Sequence, residues 1–175
     1  MRIKVPADVA RPTTDFVRQA MFSILGGAVE GARALDLYAG SGALGLEALS
    51  RGAKSCVFVE DYRKATAVIG ENLMQTGLAG VRGTRSEVAR FLRGERGTFD
   101  LVFADPPYAR SALDHDHVVE ILGGEDLLRV LEPDGWLVVE IAAEAATPEA
   151  EGWELRTRRS YGGTSVLVFA PAGEV

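Results

Sequence analysis

The sequence predicts an α/β fold built on a doubly wound, mostly parallel sheet with an antiparallel C-terminal strand. Three observations support this prediction. Strand-like apolar segments alternate with segments of helical periodicity along most of the chain. The central apolar segments, such as LVFAD at 101–105 and WLVVEI at 136–141, are nearly continuous, as in parallel strands that helices cover on both faces. Two strand-like segments near the C-terminus are separated only by residues 160–164, which predicts an antiparallel hairpin.

The predicted strands are short segments rich in apolar and β-branched residues. In chain order they cover residues 34–38, 55–60, 81–84, 99–105, 136–141, 154–158 and 165–169, of which 81–84 has the weakest pattern.

The predicted helices repeat apolar residues at spacings of three and four. The first runs from Val17 to Leu25 and follows Thr13, Thr14 and Asp15, whose side chains can cap its N-terminus. The other helices cover residues 44–49, 62–73, 87–92 and 118–131, and glycines at 123 and 124 interrupt the last of them.

The composition is that of one ordinary globular domain. Of the 175 residues, 47% are hydrophobic and 25% are charged, which argues against disorder and against a fibrous repeat. We therefore expect a single domain over residues 1–175, with residues 1–12 as a short N-terminal arm. The net charge of −6 argues against a protein held to nucleic acid by bulk charge, although it allows a local basic face.

Cysteine and histidine usage argues against disulfide and metal frameworks. Cys56 is the one cysteine of the chain, which excludes an internal disulfide and a multi-cysteine zinc site and fits a reducing compartment. His115 and His117 lie between aspartates, but we interpret them as a polar loop or the edge of a substrate cleft, and we predict no metal site. The chain has no signal-peptide pattern and no long apolar segment. We expect a cytoplasmic monomer that does not bind a membrane.

A glycine-rich turn follows the first predicted strand. Residues 40–45, GSGALG, have the GxGxxG spacing between a strand and a helix, where glycines allow a ligand to approach the backbone closely. Glu60 ends the second strand, and its carboxylate can accept hydrogen bonds from both hydroxyls of a ribose. The pattern predicts a nucleotide-cofactor site, although NAD-binding domains share it and a purely structural turn remains an alternative.

Asp36 distinguishes between the candidate cofactors. It lies in the first strand, four residues before Gly40, so its carboxylate should lie near the ligand of the turn. A carboxylate repels a pyrophosphate and attracts a sulfonium or ammonium group, by roughly 4 kcal/mol at ~4 Å and an effective dielectric constant of about 20, before solvation. S-adenosylmethionine (SAM) carries both positive groups and no phosphate. Asp36 therefore favours SAM.

Residues 36–42, DLYAGSG, resemble motif I of the Rossmann-like SAM-dependent methyltransferases. The resemblance implies the class I fold of that family, a seven-stranded sheet whose last strand is antiparallel. It implies that Glu60 holds the ribose and that Glu87 lies beside the adenine amine, where the family usually has an aspartate. An acidic residue at a helix N-terminus is also favourable without a ligand. The implied cofactor-binding residues are Asp36, Tyr38, Gly40, Ser41, Gly42, Glu60, Asp61, Glu87, Val88 and Asp105.

A second motif, Asp105-Pro106-Pro107-Tyr108, ends the fourth predicted strand. The two prolines form a rigid corner at the carboxyl end of the sheet, where doubly wound folds bind ligands. An exocyclic base amine is a poor nucleophile because its lone pair is delocalised into the ring. The Asp105 carboxylate and the Pro106 carbonyl can accept hydrogen bonds from its two N–H groups and stabilise the positive charge that develops on the nitrogen. The ring of Tyr108 can stack on the base.

The tetrapeptide DPPY resembles motif IV of the amino-methyltransferases, which act on adenine or guanine amines and, in an NPPY form, on a glutamine amide. The aspartate in place of asparagine favours a nucleobase. The resemblance implies that Asp105, Pro106, Pro107 and Tyr108 are catalytic. The alternative is a Pro-Pro turn with a tyrosine in the core.

Three further segments resemble the bacterial small-subunit ribosomal RNA guanine-N2 methyltransferase family: RPTTDFVR at 11–18, LGLEALSRG at 44–52 and YGGT at 161–164. The resemblance spans almost the whole chain. It implies methyl transfer from SAM to the N2 amine of a guanine in 16S ribosomal RNA, either free or in the small ribosomal subunit. The implied substrate-binding residues are Arg11, Thr13, Thr14, Arg18 and Tyr108. For the first four, a capped helix with surface arginines is the alternative.

The family commonly has a longer Arg/Gly-rich N-terminal hairpin and a basic residue at the position of Phe16. Local basic clusters remain that could contact RNA, although charged faces are usually only solvated. They are Arg2, Lys4, Arg11 and Arg18; Arg82, Arg85, Arg90, Arg93 and Arg96; and Arg156, Arg158 and Arg159.

Three other functions are weighed against this one. A DNA adenine methyltransferase shares DPPY, but it usually carries a target-recognition domain that 175 residues barely accommodate. A non-catalytic SAM-binding or nucleotide-binding protein would keep the glycine turn without the reaction. An NAD-dependent dehydrogenase is the least favoured because of Asp36 and because a second domain is not expected.

Overall fold

The computed structural model describes residue 4, residues 14–107 and residues 116–173. In chain order the described elements are α1 (Asp15–Leu25), a one-turn 3-10 helix (Gly26–Ala28), β1 (Arg33–Leu37), α2 (Ala43–Ser50), β2 (Ser55–Glu60), α3 (Arg63–Thr76), β3 (Val81–Arg85), α4 (Val88–Gly94), β4 (Phe99–Ala104), α5 (His117–Gly123), α6 (Glu125–Val130), β5 (Leu131–Ala142), β6 (Trp153–Tyr161) and β7 (Thr164–Pro171).

The seven strands form one sheet in the order β3-β2-β1-β4-β5-β7-β6. Strands β1 to β5 pair in parallel, whereas β7 is antiparallel to both β5 and β6. The chain first builds the sheet outward from β1 to β3 and then returns to the other side of β1 with β4. The topological switch point therefore lies between β1 and β4, which is where open α/β sheets bind ligands. The predicted fold class, including the antiparallel C-terminal hairpin, is confirmed.

Helices cover both faces of the sheet. On one face, Phe22 of α1 packs against Phe103 of β4, with ring centroids 5.5 Å apart. On the other face, Leu127 and Val130 of α6 are completely buried beside Val102. Because β4 lies between the two layers, both of its faces are apolar, and this explains its nearly continuous apolar sequence.

The predicted interruption of the helical segment 118–131 at Gly123 and Gly124 is confirmed, but the predicted end of that segment is wrong. Two helices, α5 and α6, meet at Gly124, whose backbone is extended (φ −93°, ψ 152°), and Leu131 already belongs to β5. Strand β5 therefore begins five residues before its predicted start. Phe99 of β4 pairs with Leu131, but Leu101 pairs with Trp136, so β5 bulges between these pairs. The bulge accommodates Pro133, which cannot donate a hydrogen bond within a regular ladder.

Other predicted boundaries shift by one to three residues, at the ends of strands and helices alike. Strand β1 ends at Leu37 because Tyr38 takes a left-handed conformation with φ 55°. Strand β4 ends at Ala104, so Asp105 belongs to the loop rather than to the strand. The hairpin strands β6 and β7 are longer than predicted.

The longest described helix, α3, has 14 residues, fewer than the about 20 that cross a bilayer. None of the helices in the described ranges is long and apolar enough to span a membrane. Within the same ranges, no group of three or more His, Cys, Asp or Glu side chains is arranged to hold a metal ion. Cys56 is 1% exposed, and burial raises the pKa of its thiol, which fits the inert core cysteine that its place in a strand indicates.

Candidate active site at the carboxyl edge of the sheet

The two sequence motifs leave the sheet side by side. Leu37, the last residue of β1, pairs with Ala104, the last residue of β4. The glycine turn that follows β1 and the Asp105–Pro107 corner that follows β4 therefore start from neighbouring positions at the carboxyl edge. Asp105 is half-buried, Pro106 is buried and Pro107 is exposed. The predicted proximity of the two motifs is confirmed by this register.

Positive φ angles make the turn after β1 tight. Tyr38, Gly40 and Gly42 have φ angles of 55°, 58° and 82°, and the N–H of Gly42 donates to the carbonyl of Ala39 at 2.8 Å. Gly42 then begins α2 without a side-chain cap. A left-handed conformation costs non-glycine residues about 1 kcal/mol or more, so glycine at position 42 allows the sharp entry into the helix.

Asp36 supports the turn from within the protein. Its side chain is 1% exposed, and Oδ2 accepts a hydrogen bond from the N–H of Gly45 at 2.9 Å. Burial raises the pKa of Asp36 well above its ordinary value, and the charges of Asp105 and Glu60 raise it further. Three carboxyl groups therefore lie near one another beside the turn. Asp36 fixes the first turn of α2, and its direct contact with a cofactor stays a prediction.

Glu60 is held at the end of β2 by two backbone hydrogen bonds. Its Oε2 accepts from the N–H of Gly40 at 2.8 Å, and its Oε1 accepts from the N–H of Tyr62 at 2.9 Å. A carboxylate has about four acceptor positions, so each oxygen keeps one for a further donor. Glu60 is therefore fixed beside the glycine turn with acceptor capacity that suits the hydroxyls of a ribose.

The carboxyl edge of the sheet continues from β2 to β3. It is bordered there by Asp61, Glu87 and Val88. The N–H of Ser86 donates to the carbonyl of Glu60 at 3.1 Å, which places the start of α4 beside the end of β2. Val88 is buried, whereas Asp61 and Glu87 are exposed. Glu87 immediately precedes α4 but makes no capping hydrogen bond with its side chain. Glu87 therefore lies at the carboxyl edge of the sheet, and its role beside the adenine stays a prediction.

Tyr38 and His117 meet at the opposite side of the turn. Their ring centroids are 5.4 Å apart, and burial raises the pKa of Tyr38. The interpretation of residues around His117 as a polar loop is wrong for the described part. Asp116 accepts hydrogen bonds from the N–H groups of Val118 and Val119, so it caps α5, and His117 is the first residue of that helix. The signal was an aspartate directly before an amphipathic run.

Sequence reasoning missed Asn72. Its side chain is 1% exposed; Nδ2 donates to the carbonyl of Ser41 at 2.9 Å and to that of Lys4 at 3.1 Å, and Oδ1 accepts from the N–H of Lys4 at 2.9 Å. The signal was positional, because Asn72 follows Ala65 and Ile69 at helical spacing on the buried face of α3. Asn72 thereby ties an N-terminal residue to the glycine turn.

We expect the substitution Asn72→Leu to destabilise the protein by about 2–3 kcal/mol, because it leaves the buried carbonyl of Ser41 and the part-buried backbone groups of Lys4 without their partner. Urea unfolding measures this loss. Asn72→Asp keeps an acceptor for Lys4 but cannot donate to Ser41, so we expect it to weaken cofactor affinity as well. A Leu variant as stable as the wild type would contradict this role.

The structure places only some of the predicted substrate-binding residues. Thr14 caps α1, its Oγ1 accepting from the N–H of Val17 at 3.3 Å. Arg18 pairs with Asp15 at 2.7 Å and with Glu47 at 3.7 Å, so carboxylates already hold its guanidinium. Thr14 and Arg18 therefore make the contacts of a capped helix with surface arginines, which the sequence analysis gave as the alternative to substrate binding. Arg11, Thr13 and Tyr108 lie outside the described residues, as does His115, and their predicted roles stay predictions.

Many cations of the basic clusters are engaged within the protein. Ion pairs join Lys4 to Glu71, Arg82 to Glu95 and Arg156 to Glu154. Arg158 donates to the carbonyls of Ala143 and Ala145 and to Thr147, so it fastens the connector between β5 and β6. These basic residues make contacts within the protein that their clustering in the sequence did not indicate.

Comparisons with known proteins identify the family to which the chain belongs. The family model described as "Conserved hypothetical protein 95" matches residues 2–170. A Bacillus subtilis (strain 168) protein named "Putative rRNA methyltransferase YlbH" is 39% identical over 168 residues, which cover 93% of this chain and 89% of the relative. "Ribosomal RNA small subunit methyltransferase D" of Escherichia coli (strain K12) is 37% identical over 166 residues, covering 91% and 78% respectively.

A solved structure shares the fold and much of the sequence. The structure of "Putative methyltransferase yhhF from Escherichia coli" matches with a TM-score of 0.81 and 31% identity, covering 98% of this chain and 92% of that one. The family model, the two relatives and this structure each match most of the chain. The chain therefore belongs to the conserved hypothetical protein 95 family, which includes the bacterial small-subunit ribosomal RNA methyltransferases.

Proposed function

We propose that this protein transfers a methyl group from SAM to the exocyclic N2 amine of a guanine in small-subunit ribosomal RNA. One observation carries the proposal: the pairing of Leu37 with Ala104 places the glycine turn beside the Asp105 corner. A cofactor seated on the turn and a base seated at the corner would then face each other. The names of the full-length relatives support ribosomal RNA as the substrate class.

The residues around the turn fit SAM. Glu60 and Asp105 act electrostatically on buried Asp36, whose raised pKa favours its neutral form. The negative charges of Glu60 and Asp105 would therefore be the ones that favour a cationic ligand over a pyrophosphate. Glu60 offers an acceptor position on each oxygen at the place where a ribose would lie. When bound, SAM supplies a methyl group on a positively charged sulfur, and this sulfur retains the bonding electron pair when the methyl group leaves.

The corner after β4 supplies what an aromatic amine needs in order to attack. The amine nitrogen becomes tetrahedral and positively charged in the transition state. The Asp105 carboxylate and the Pro106 carbonyl would accept hydrogen bonds from its two N–H groups, stabilising that charge and directing the lone pair at the methyl carbon. After transfer, the methylated nitrogen would release one proton to water. The prolines hold these acceptors rigidly, so little reorganisation is needed. Tyr108 would stack on the base, and an unpaired base would avoid the cost of extrusion from a duplex.

Nucleoside analysis tests the proposal directly. Purified protein is incubated with labelled SAM and either naked 16S ribosomal RNA or small subunits from cells that lack the gene, and the digested nucleosides are identified by mass spectrometry. We expect N2-methylguanosine in at least one substrate. Methylated adenine in DNA would favour the alternative DNA methyltransferase, and SAM binding without transfer to any nucleic acid would favour a binding protein.

We expect Glu60→Ala to weaken SAM affinity by at least about 100-fold. The variant loses charged hydrogen bonds to the ribose, each worth about 1.5–3 kcal/mol, and it also leaves the N–H groups of Gly40 and Tyr62 without their acceptor. Isothermal titration calorimetry measures the affinity. Glu149→Ala, a change of an exposed carboxylate in the connector, is the matched control and should bind SAM normally. Equal affinities for the two variants would remove Glu60 from the cofactor site.

A further inference from the structure

Two aromatic rings lie exposed at the edge of the proposed site. Phe16, in the first turn of α1, is 68% exposed. Its ring contacts that of Tyr161 edge to face, with centroids 5.9 Å apart and an interplanar angle of 78°. An edge-to-face contact favours a defined orientation of the two rings, and most of the Phe16 side chain remains open to solvent. The protein thus holds a rigid apolar ring in solvent.

Strand register places this pair at the carboxyl edge of the sheet. Tyr161 pairs with Thr164, and Thr164 pairs with Ala142. Ala142 lies three residues beyond Val139, the partner of Ala104 at the end of β4. Tyr161 therefore lies beyond the level at which β4 ends. It lies three strands away from β4, or about 14 Å at the usual strand spacing.

A cation accompanies the two rings. Arg159 precedes Tyr161 by two residues in β6, so both side chains lie on the same face of the sheet. Arg159 is exposed, and its guanidinium makes no hydrogen bond or ion pair with any described residue. The carboxylate next to Phe16, that of Asp15, is paired with Arg18 at 2.7 Å. The charge available beside the rings is therefore positive.

We propose that Phe16, Tyr161 and Arg159, here called the aromatic edge, bind an unpaired nucleotide of the RNA that neighbours the target guanine. This inference rests on the proposed function. The ring of Phe16 stacks on the base and the guanidinium of Arg159 contacts a phosphate, a combination typical of single-strand binding surfaces. Because the edge lies about 14 Å from the Asp105 corner, it holds a different base from the one that is methylated.

The test compares Phe16→Ala, Phe16→Trp and Arg159→Gln with the wild type. Met74→Ala is the matched control, because Met74 is an 85% exposed apolar side chain on α3, which packs against β2 and β3. Affinity for naked 16S ribosomal RNA is measured by filter binding at several salt concentrations. The KM for RNA, kcat and SAM affinity are measured with labelled SAM on that RNA and on small subunits.

We expect Phe16→Ala to raise the Kd and KM for naked RNA by about 5- to 50-fold, the usual loss for one stacked base, with kcat and SAM affinity unchanged. Phe16→Trp should restore RNA affinity, and Arg159→Gln should lower the salt dependence by about one phosphate contact. Met74→Ala should behave as the wild type.

Three results would overturn the inference. RNA affinity of Phe16→Ala within twofold of the wild type would exclude stacking. Reduced SAM affinity in that variant would indicate a structural role instead. Loss of activity on small subunits but not on naked RNA would indicate that the aromatic edge binds a ribosomal protein. If the wild type methylates no RNA, the proposed function fails and this inference fails with it; the three results above leave that function intact.

Discussion

Replacing Asp105 with alanine should reduce the rate of methyl transfer by about 10²–10³-fold, the usual effect of removing one preorganised group that stabilises transition-state charge. Asp105 starts the loop directly after β4, and its charge acts on Asp36 beside the glycine turn. The variant loses an acceptor for the amine when positive charge develops on nitrogen. SAM affinity should change far less, because the glycine turn and Glu60 remain. Single-turnover transfer to ribosomal RNA and calorimetric SAM titration measure the two effects separately.

Asp105→Asn and Asp134→Ala complete this experiment. The asparagine keeps an acceptor oxygen without the charge, so it should retain more activity than the alanine. Asp134 is an exposed carboxylate in the β5 bulge, and its removal should leave transfer unchanged. If Asp105→Ala abolished SAM binding, the carboxylate would act on the cofactor rather than on the amine, and the proposed catalytic role would be wrong.

The proximity of the glycine turn and the Asp105 corner was predictable because two simple rules determine it. Apolar continuity identified β1 and β4 as buried parallel strands, and parallel strands bring their carboxyl ends to one edge. Any motif that follows such a strand must then lie at that edge. Leu37 and Ala104 pair as these rules require, so the proximity of GSG and DPP needed no knowledge of side-chain packing.

The parts that sequence reasoning missed depend on tertiary contacts. The helical periodicity of residues 118–131 continues into β5, and pattern alone could not show that Leu131 pairs with Phe99 across a bulge. Helical spacing places Asn72 on the buried face of α3, but it does not identify its partners Ser41 and Lys4, which are 31 and 68 residues away in the chain. Long-range hydrogen bonds of this kind have no local signature. They therefore appear only in the three-dimensional structure.

The contacts that the arginines make within the protein also bear on the basic clusters seen in the sequence. The clustered cations were candidates for RNA contact, although charged faces are usually only solvated. In the structure, Arg82 is engaged by Glu95 and Arg158 by the β5–β6 connector. Acidic residues outnumber basic ones by 25 to 19, so carboxylates are available to pair with cations. An RNA-binding surface in this protein therefore depends on a few cations without acidic partners and on aromatic stacking, which tolerates a negative overall charge.

Substituting Gly45 with a larger residue should strongly destabilise the protein. A Cβ atom at this position would lie 2.4 Å from Cε1 of Phe58 and 2.6 Å from Sγ of Cys56, and both side chains are 1% exposed. Neither can move without displacing the core. Gly45→Ala must therefore push α2 away from β2, which costs about 3 kcal/mol against a gain in helix propensity of about 1 kcal/mol. Bulkier Gly45→Val should prevent stable folding.

Gly70→Ala is the matched control for this prediction. Gly70 also lies within a helix, α3, but a Cβ atom there meets nothing within 4 Å, so the variant should be more stable by about 0.5–1 kcal/mol. Urea unfolding of both alanine variants should give changes of opposite sign. Gly45→Ala should also weaken SAM binding, because the N–H of Gly45 donates to Asp36 and the glycine turn moves with α2. If both variants stabilised the protein, close packing of α2 on β2 could not be the reason for glycine at position 45.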